Sequence, residues 1–291
     1  MVKKIIVLGA NSPTAKEFCK HFTNNIEILK FSHHKADDNQ HQFDLNNISY
    51  QDIDIIKKFQ ADTLINFAWL SVTSTTYNSH EHLDNYIGSL LLIKEFIYAG
   101  GKNLIGIGTC YEYGEKYKSL INEVTIPQPT TYYASIRLSL YSILNIICKR
   151  HDINFTWARL FSNYGVEKNE RRLTKYLISN FLNDKPVHIN EPFKEYDYIY
   201  FKDVAKLLFL ITTAEKDLGV INLCTSKGTS ILDYALTIQK LLGKKDLILY
   251  DANNKNNIKV VGDNSKLLST VGDYKFYTVE EGLSEIIEHC I

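Results

Sequence analysis

The chain of 291 residues is predicted to be α/β, a doubly wound parallel sheet with a smaller C-terminal lobe, on three observations. Short apolar runs at Lys3 to Leu8, Ile26 to Phe31, Thr63 to Ala68 and Lys102 to Gly108 alternate with helix-length stretches, the pattern of βαβ units. The first run ends in Gly9-Ala10-Asn11-Ser12-Pro13-Thr14-Ala15, a strand, turn and helix start of the kind that holds a pyrophosphate on backbone N–H groups. The run ending at Gly108 delivers Thr109-Cys110-Tyr111-Glu112-Tyr113-Gly114 at its carboxyl end, where such sheets bind their ligands.

Composition narrows the function. Lys plus Arg and Asp plus Glu balance at 33 each, so no global field recruits nucleic acid or an anionic membrane, and neither is expected as a partner. Five scattered cysteines (19, 110, 148, 224 and 290) form no Cys-x-x-Cys pair, and the odd count speaks against a disulfide framework. A reducing, cytoplasmic setting is the simplest reading. The apolar run after Met1-Val2-Lys3-Lys4 is too short for a signal peptide, and no run reaches transmembrane length.

In chain order, Gly9 opens a turn whose later glycine positions hold Ser12 and Ala15, so the phosphate motif is incomplete. Gly9, Asn11, Ser12, Pro13 and Thr14 are its candidate ligands. Ile26 to Phe31 is the second strand, followed by Ser32-His33-His34-Lys35. Hydroxyl and basic groups there suit a ribose 2′-phosphate, which favours NADP(H), while Asp37-Asp38 leaves NAD(H) open. His33, His34 and His41 lack the spacing of a metal site, and no metal is expected. Phe43-Asp44-Leu45 precedes a short helix from Asp52 to Phe59, and Thr63 to Ala68 is the third strand. A helix from Glu81 to Ala99 carries Asn85 and Gly88 and stops at Gly100-Gly101. Lys102 to Gly108 is the fourth strand.

Thr131-Tyr132-Tyr133-Ala134-Ser135-Ile136-Arg137 opens a helix reaching about Lys149. Residues four apart share a helix face, so Tyr133 and Arg137 reach a common ligand. A cation beside a phenol favours phenolate, which predicts a Tyr133 hydroxyl shifted toward neutral pH. Beyond it, one strand is expected from Phe155 through Tyr164-Gly165, a helix from Arg171 to about Asn183, a Tyr-rich strand with an exposed edge over Glu195 to Tyr200, a helix from Asp203, a strand over Gly219 to Cys224, and helices over Ile231 to Leu242 and Val279 to Glu288. Asp251 to Asn257 reads as a surface loop.

Taken together, these pieces resemble the extended short-chain dehydrogenase/reductase family, the NAD(P)-dependent sugar-nucleotide epimerases, dehydratases and reductases. The matching segments are the Gly9 loop, Asp44-Leu45, Asn66-Phe67-Ala68, Asn85-x-x-Gly88, Thr109 to Gly114, Tyr133-x-x-x-Arg137, Arg159 to Gly165 and Asp197 to Ala205. The resemblance implies a Rossmann-type domain over residues 1–164, with 196–225 returning to it, and a sugar-nucleotide lobe over 165–291. It implies that Tyr133 gives a proton to a sugar oxygen while Thr109 holds that oxygen, and that Arg137 stands where the family has lysine, keeping the charge but unable to deprotonate. Asp44, Leu45, Phe67, Ala68, Asn85 and Leu160 join the implied cofactor contacts. Trp69, Cys110, Tyr111, Ser162, Asn163, Arg171, Arg172 and Tyr196 are the implied substrate contacts, Tyr196 replacing an arginine that holds phosphate in relatives.

The position two after Thr109 sorts the reactions. A 4,6-dehydratase needs an Asp-Glu pair after the threonine, and here Cys110 and Tyr111 stand there, which speaks against elimination. The Gly-Thr-Cys-aromatic-Glu-Tyr-Gly strand end is similar to the CDP-abequose and CDP-paratose synthase branch, which implies reduction of a nucleotide-linked 4-keto-6-deoxyhexose by NADP(H). The alternatives are a sugar-nucleotide 4-epimerase that retains NAD, and a catalytically silent dinucleotide-binding protein. The resemblance also implies a homodimer through the helices that begin near Glu81 and at Tyr133.

Overall fold

β-branched and aliphatic side chains fit a strand buried on both faces, and residues 5–8 and 63–66, Ile5-Ile6-Val7-Leu8 and Thr63-Leu64-Ile65-Asn66, are buried throughout. The computed structural model describes residues 3–22, 25–34, 40–70, 75–114, 119–166, 171–254 and 258–289. Lys35, Asp37, Asp38, Cys290 and the end of the Asp251 to Asn257 loop lie outside the described residues.

The first half of the chain folds as β1 (Lys3–Leu8), α1 (Pro13–Lys20), β2 (Ile26–Ser32), β3 (Gln40–Gln42), α2 (Tyr50–Phe59), β4 (Thr63–Asn66), α3 (Glu81–Tyr98), β5 (Asn103–Thr109), a 3-10 turn over Cys110–Glu112, and α4 (Tyr132–Arg150). Next come β6 (Asn154–Leu160), β7 (Ser162–Tyr164), α5 (Leu173–Leu182), β8 (Val187–Ile189), β9 (Glu195–Tyr200), α6 (Phe201–Ala214) and β10 (Gly219–Leu223). The chain closes with β11 (Gly228–Ser230), α7 (Ile231–Leu241), β12 (Ile248–Tyr250), β13 (Lys259–Val260), α8 (Ser265–Val271) and α9 (Val279–Glu288). No described helix is long and apolar enough to cross a membrane.

Seven strands form one sheet in the order β10-β6-β5-β4-β1-β2-β3, and the pairs among β1 to β5 are parallel. The order doubles back at β1, so the carboxyl ends of β1 and β4 diverge into the crevice where doubly wound sheets bind ligands. The predicted α/β doubly wound sheet is therefore the fold.

The chain divides into two units. The first comprises residues 1–112, 127–159 and 205–221, the second residues 113–126, 160–204 and 222–291. The first unit's core gathers Ile6, Leu8, Phe31, Leu64, Leu92, Phe96, Leu104, Leu140 and Trp157. Its helices α3 and α4 pack on each other, α3 also on β4 and α4 on β5. The second unit has its own core, rich in tyrosine, around Tyr164, Leu177, Phe181, Tyr198, Tyr200, Tyr234 and Ile286.

Two sequence expectations fail in instructive ways. The strand expected to run unbroken from Phe155 to Gly165 is two strands: β6 belongs to the large sheet, whereas β7 pairs with β9. The break falls at Phe161, buried to 3% exposure, whose apolar side chain continues the pattern of Phe155 to Leu160 and so hides the change of sheet. The Tyr-rich strand expected to have an exposed edge is instead paired with β11 and with β7 and β13, and Asp197 to Tyr200 are buried.

Close approaches explain glycines on which the site depends. A Cβ on Gly106 would lie 2.4 Å from Trp157 Cε3, and one on Gly108 2.3 Å from Trp157 Nε1, so this indole lies flat on β5 only because two residues there lack side chains. Gly88 meets the Leu45 carbonyl oxygen in the same way and lets α3 approach the turn after β3. Gly106→Ala is expected to lower stability by about 1–3 kcal/mol through overpacking against Trp157, read as a lowered urea midpoint with unchanged slope.

Candidate active site

The dinucleotide half of the site is built at the β1/β4 crevice. Gly9, with φ +79°, turns the chain off β1, its N–H bonded to the Phe31 carbonyl at 2.9 Å. Ser12 caps α1, accepting from the Ala15 N–H at 3.2 Å, and Pro13 supplies the fixed φ that suits a first helical position. A cavity of about 400 Å³ opens there, lined by Gly9, Asn11, Ser12, Ser32, His33, Asp44, Leu45, Phe67, Ala68 and Asn85 among others. Pro13, Thr14 and His34 do not line it. Thr14 is buried in α1, and the His34 carbonyl accepts a hydrogen bond from Asn11 Nδ2.

The cavity fits a dinucleotide on two counts. Its volume lies in the range of small-molecule sites, and Asn11 Oδ1 is buried with no hydrogen-bond partner among the described residues, a free acceptor at the cavity wall. His33 Nδ1 stands 4.0 Å from Asp44 Oδ1, so a basic ring and a carboxylate share this wall. Asn85 serves the wall differently from a free ligand. Its Oδ1 accepts from the Leu70 N–H at 2.6 Å and its Nδ2 donates to Asn46 Oδ1, so both ends of the amide are engaged in shaping the cavity. Sequence reasoning missed Phe43, Asn46, Leu70 and Glu81 as lining residues, because they flank the motifs.

The second half of the site is built where α4 starts beside the end of β5. Thr131 caps α4, accepting from the Ala134 N–H at 3.2 Å, while the Tyr133 N–H donates to the Tyr77 carbonyl at 3.0 Å. So placed, the Tyr133 phenol stands beside the Thr109 side chain, which helps to lower its pKa, and Thr109 Oγ1 accepts from the Tyr111 N–H at 3.3 Å. Arg137, one turn along α4, is 3% exposed. Its guanidinium lies 4.1 Å from the Trp69 ring centre and 5.1 Å from that of Trp157, and its Nε meets no hydrogen-bond partner among the described residues.

The predicted acidification of Tyr133 is overturned. Burial pushes the phenol up from its ordinary value. The Arg137 charge and the Thr109 side chain pull it down, the Glu112 carboxylate and Cys110 push it up again, and the net direction is up. One favourable charge does not repay removing a phenolate from water. Tyr133 is therefore a neutral phenol at neutral pH, a proton donor in its resting state.

Glu112 is fully buried and organises this end of the sheet. It accepts from the Thr109 N–H at 2.9 Å, from Trp157 Nε1 at 3.0 Å and from Arg159 Nε at 2.8 Å. Cys110 is buried and Tyr111 half-buried, its ring edge-on to Tyr77 with centroids 5.6 Å apart. The carboxylate of this strand end thus faces inward, engaged by three donors, and none stands at the two positions after Thr109. Among the described residues no group of His, Cys, Asp and Glu is placed to hold a metal ion.

The remaining candidates lie in the second unit or at its border. Leu160 ends β6, half-buried. Ser162 and Asn163 lie on β7, in register with Tyr198 and Ile199 of β9, and Tyr196 lies on β9 with Lys194 Nζ 5.2 Å from its ring centre. Arg172 is the N-cap of α5 and Arg171 precedes it, so the helix starts two residues later than expected. Trp69, expected among substrate contacts, lines the dinucleotide cavity and covers Arg137.

A crevice at the switch point of a 3-2-1-4-5-6 sheet, with a hydroxyl, a phenol and a cation at its far end, defines a nicotinamide dinucleotide-binding protein. The chain matches the model of the NAD dependent epimerase/dehydratase family over residues 5–224, and it belongs to that family. Among curated proteins it is 21% identical over 191 residues to dTDP-D-glucose 4,6-dehydratase of Mus musculus, covering 65% of this chain and about half, 52%, of that relative. Among solved structures it superposes on UDP-glucose 4-epimerase of Thermotoga maritima, with UDP-glucose bound, at TM-score 0.84 and 19% identity over 99% of both chains. It superposes on RMD of Pseudomonas aeruginosa with NADPH at TM-score 0.82 and 16% identity over 98% of both chains.

Glu112→Ala removes the acceptor of Thr109 N, Trp157 Nε1 and Arg159 Nε together. It is expected to cost about 3–5 kcal/mol, the scale of breaking a buried ion pair from one side, read as a fall in chemical-denaturation free energy.

Proposed function

We propose that the chain is an NADP(H)-dependent reductase of a nucleotide-linked 4-keto-6-deoxy sugar, working in deoxysugar or surface-polysaccharide biosynthesis in the cytoplasm. The observation that carries this reading is the Tyr133 phenol set beside the Thr109 hydroxyl and a buried guanidinium, with the Glu112 carboxylate engaged by Arg159 instead. A carbonyl oxygen held by the Thr109 hydroxyl receives its proton from the neutral Tyr133 phenol, and Arg137 stabilises the charge left on the phenol. A bound dinucleotide supplies the hydride. Elimination of water has no carboxylate pair to run on here.

His33 on the cavity wall supports a 2′-phosphate and hence NADP(H), whereas Ser32 is fully buried with its hydroxyl engaged by Gln40 and the His34 carbonyl, and Asp44 on the same wall is an acceptor suited to ribose hydroxyls and supports NAD(H). The nucleotide-sugar class is supported by the UDP-glucose in the Thermotoga relative. Tyr111, Ser162, Asn163, Arg171, Arg172 and Tyr196 are carried over from the family resemblance as candidate sugar-nucleotide contacts. A homodimer is supported by Leu83, Ile87, Leu91 and Tyr98 of α3 and Ile143 and Ile146 of α4, all exposed large apolar side chains on the two helices.

NADPH oxidation with CDP-, dTDP- and GDP-linked 4-keto-6-deoxyhexoses is expected with at least one of them. Tyr133→Phe should lower turnover by about 100-fold or more, with the melting temperature retained. Because the phenol is raised, its proton is present through neutral pH and lost only as pH climbs above the ordinary tyrosine range, so reduction should decline on the alkaline side alone where Tyr133 governs it. No turnover with any of these ketones, activity that survives Tyr133→Phe, or purified protein carrying one tightly held NAD, the mark of a 4-epimerase, would each count against the reductase. Ile87→Glu with Ile146→Glu should convert a dimer to a monomer by light scattering; a wild type already monomeric refutes the proposed interface.

A further inference from the structure

Lysine and arginine differ in how they can be desolvated. An ammonium is a compact, strongly hydrated charge that needs oxygen acceptors, while a guanidinium is planar, delocalised and content against aromatic faces. The walls around position 137 offer faces. Trp69 and Trp157 both lie on Arg137, and they are the two tryptophans of the chain. Each indole is itself pinned through its N–H. Trp157 Nε1 donates to Glu112, and the ring rests where Gly106 and Gly108 leave room. Trp69 Nε1 donates to Nδ1 of His82 at 3.1 Å, and His82 Nε2 faces the Thr76 carbonyl at 2.8 Å. That arrangement requires a neutral ring with its proton on Nε2, because Nδ1 must accept; His82 is fully buried.

We propose that Trp69 is a positioning residue for Arg137: an indole pair, in place of hydrogen bonds to a lysine, holds the cation that serves the dinucleotide and the Tyr133 phenol. The inference rests on the reading of Arg137 as a cofactor-side cation. It adds that Trp69 and Arg137 function as a pair, Trp69 reaching the dinucleotide cavity as a wall residue and steadying the guanidinium with its ring. The free Nε of Arg137, buried and unpartnered among the described residues, leaves hydrogen-bonding capacity for a ligand.

The test is a double-mutant cycle on the full chain: wild type, Trp69→Leu, Arg137→Lys and both together, with Trp69→Phe as the conservative variant. Binding of NADP+ and of NAD+ is titrated by intrinsic tryptophan fluorescence, which reports on the stack because both tryptophans belong to it, and folding is checked by circular dichroism. Trp69→Leu and Arg137→Lys should each weaken the preferred dinucleotide by about tenfold or more, and Trp69→Phe should stay within about threefold of wild type. The double variant should bind no worse than Arg137→Lys alone. Effects that multiply in the double variant, a Trp69→Leu variant with wild-type affinity, or Trp69→Phe as damaging as Trp69→Leu would overturn the inference. So would a wild type that binds neither dinucleotide. Should Trp69→Leu fail to fold, the Trp69→Phe and Arg137→Lys pair decides: full affinity in Arg137→Lys overturns the proposal. Absence of keto-sugar turnover in a wild type that shows the coupling would refute the reductase and leave the pair standing.

Discussion

A guanidinium buried without a hydrogen-bonded carboxylate of its own among the described residues is the constraint to which this end of the sheet answers. Removing a charge from water is expensive unless something in the interior replaces the hydration shell. Here two indole faces do so, and the supports of those indoles account for much of the surrounding sequence. Gly106 and Gly108 flatten β5 under Trp157, Glu112 holds the Trp157 N–H, and His82 accepts from Trp69. Glu112 also takes the Thr109 N–H, so the carboxylate that fixes the indole fixes the backbone of Thr109. Its ion pair with Arg159, 2.8 Å between Nε and Oε2, ties β5 to its neighbour in the sheet at that level.

The same burial sets the resting protonation of the site. Arg137 pulls Tyr133 toward phenolate, as a helix turn of separation implies, but the dry surroundings needed to make that charge effective raise the phenol more than the charge lowers it. The result is an acid with its proton in place. A positioned phenol of this kind suits the protonation of a carbonyl oxygen, which is the direction a ketoreductase runs. Cys110 and Tyr111, where a dehydratase needs carboxyl groups, support the proposed reduction over elimination.

Sequence carried six of the seven strands of the large sheet because they announce themselves as apolar, β-branched runs, and it missed β3, whose Gln40-His41-Gln42 carries no such signal. The crevice was legible because Gly9, Asp44 and Phe67 follow the ends of β1, β3 and β4. It placed Tyr133 and Arg137 on one helix face from spacing alone. What it could not carry were contacts between residues far apart in the chain. Nothing near Trp69 says that its partner is 68 positions away at Arg137, or that Glu112 spends its carboxylate on Trp157 and Arg159. The sign of the Tyr133 shift failed for a related reason: the charge that lowers the pKa is local in sequence, while the burial that raises it comes from the whole fold. The break between β6 and β7 escaped because an apolar residue at the junction, Phe161, hides a change of sheet.

On the proposed reading, the phenol of Tyr133, the hydroxyl of Thr109 and the stacked Arg137 converge on one end of a dinucleotide laid along the Gly9–Asp44 cavity. A crystal structure of the chain grown with NADPH tests it most directly. The account predicts the adenosine end in that cavity, and the nicotinamide ribose within hydrogen-bond distance of Arg137 and Tyr133. Density that leaves the cavity vacant, or that places the nicotinamide away from Tyr133 with Arg137 touching only its two indoles, would contradict it.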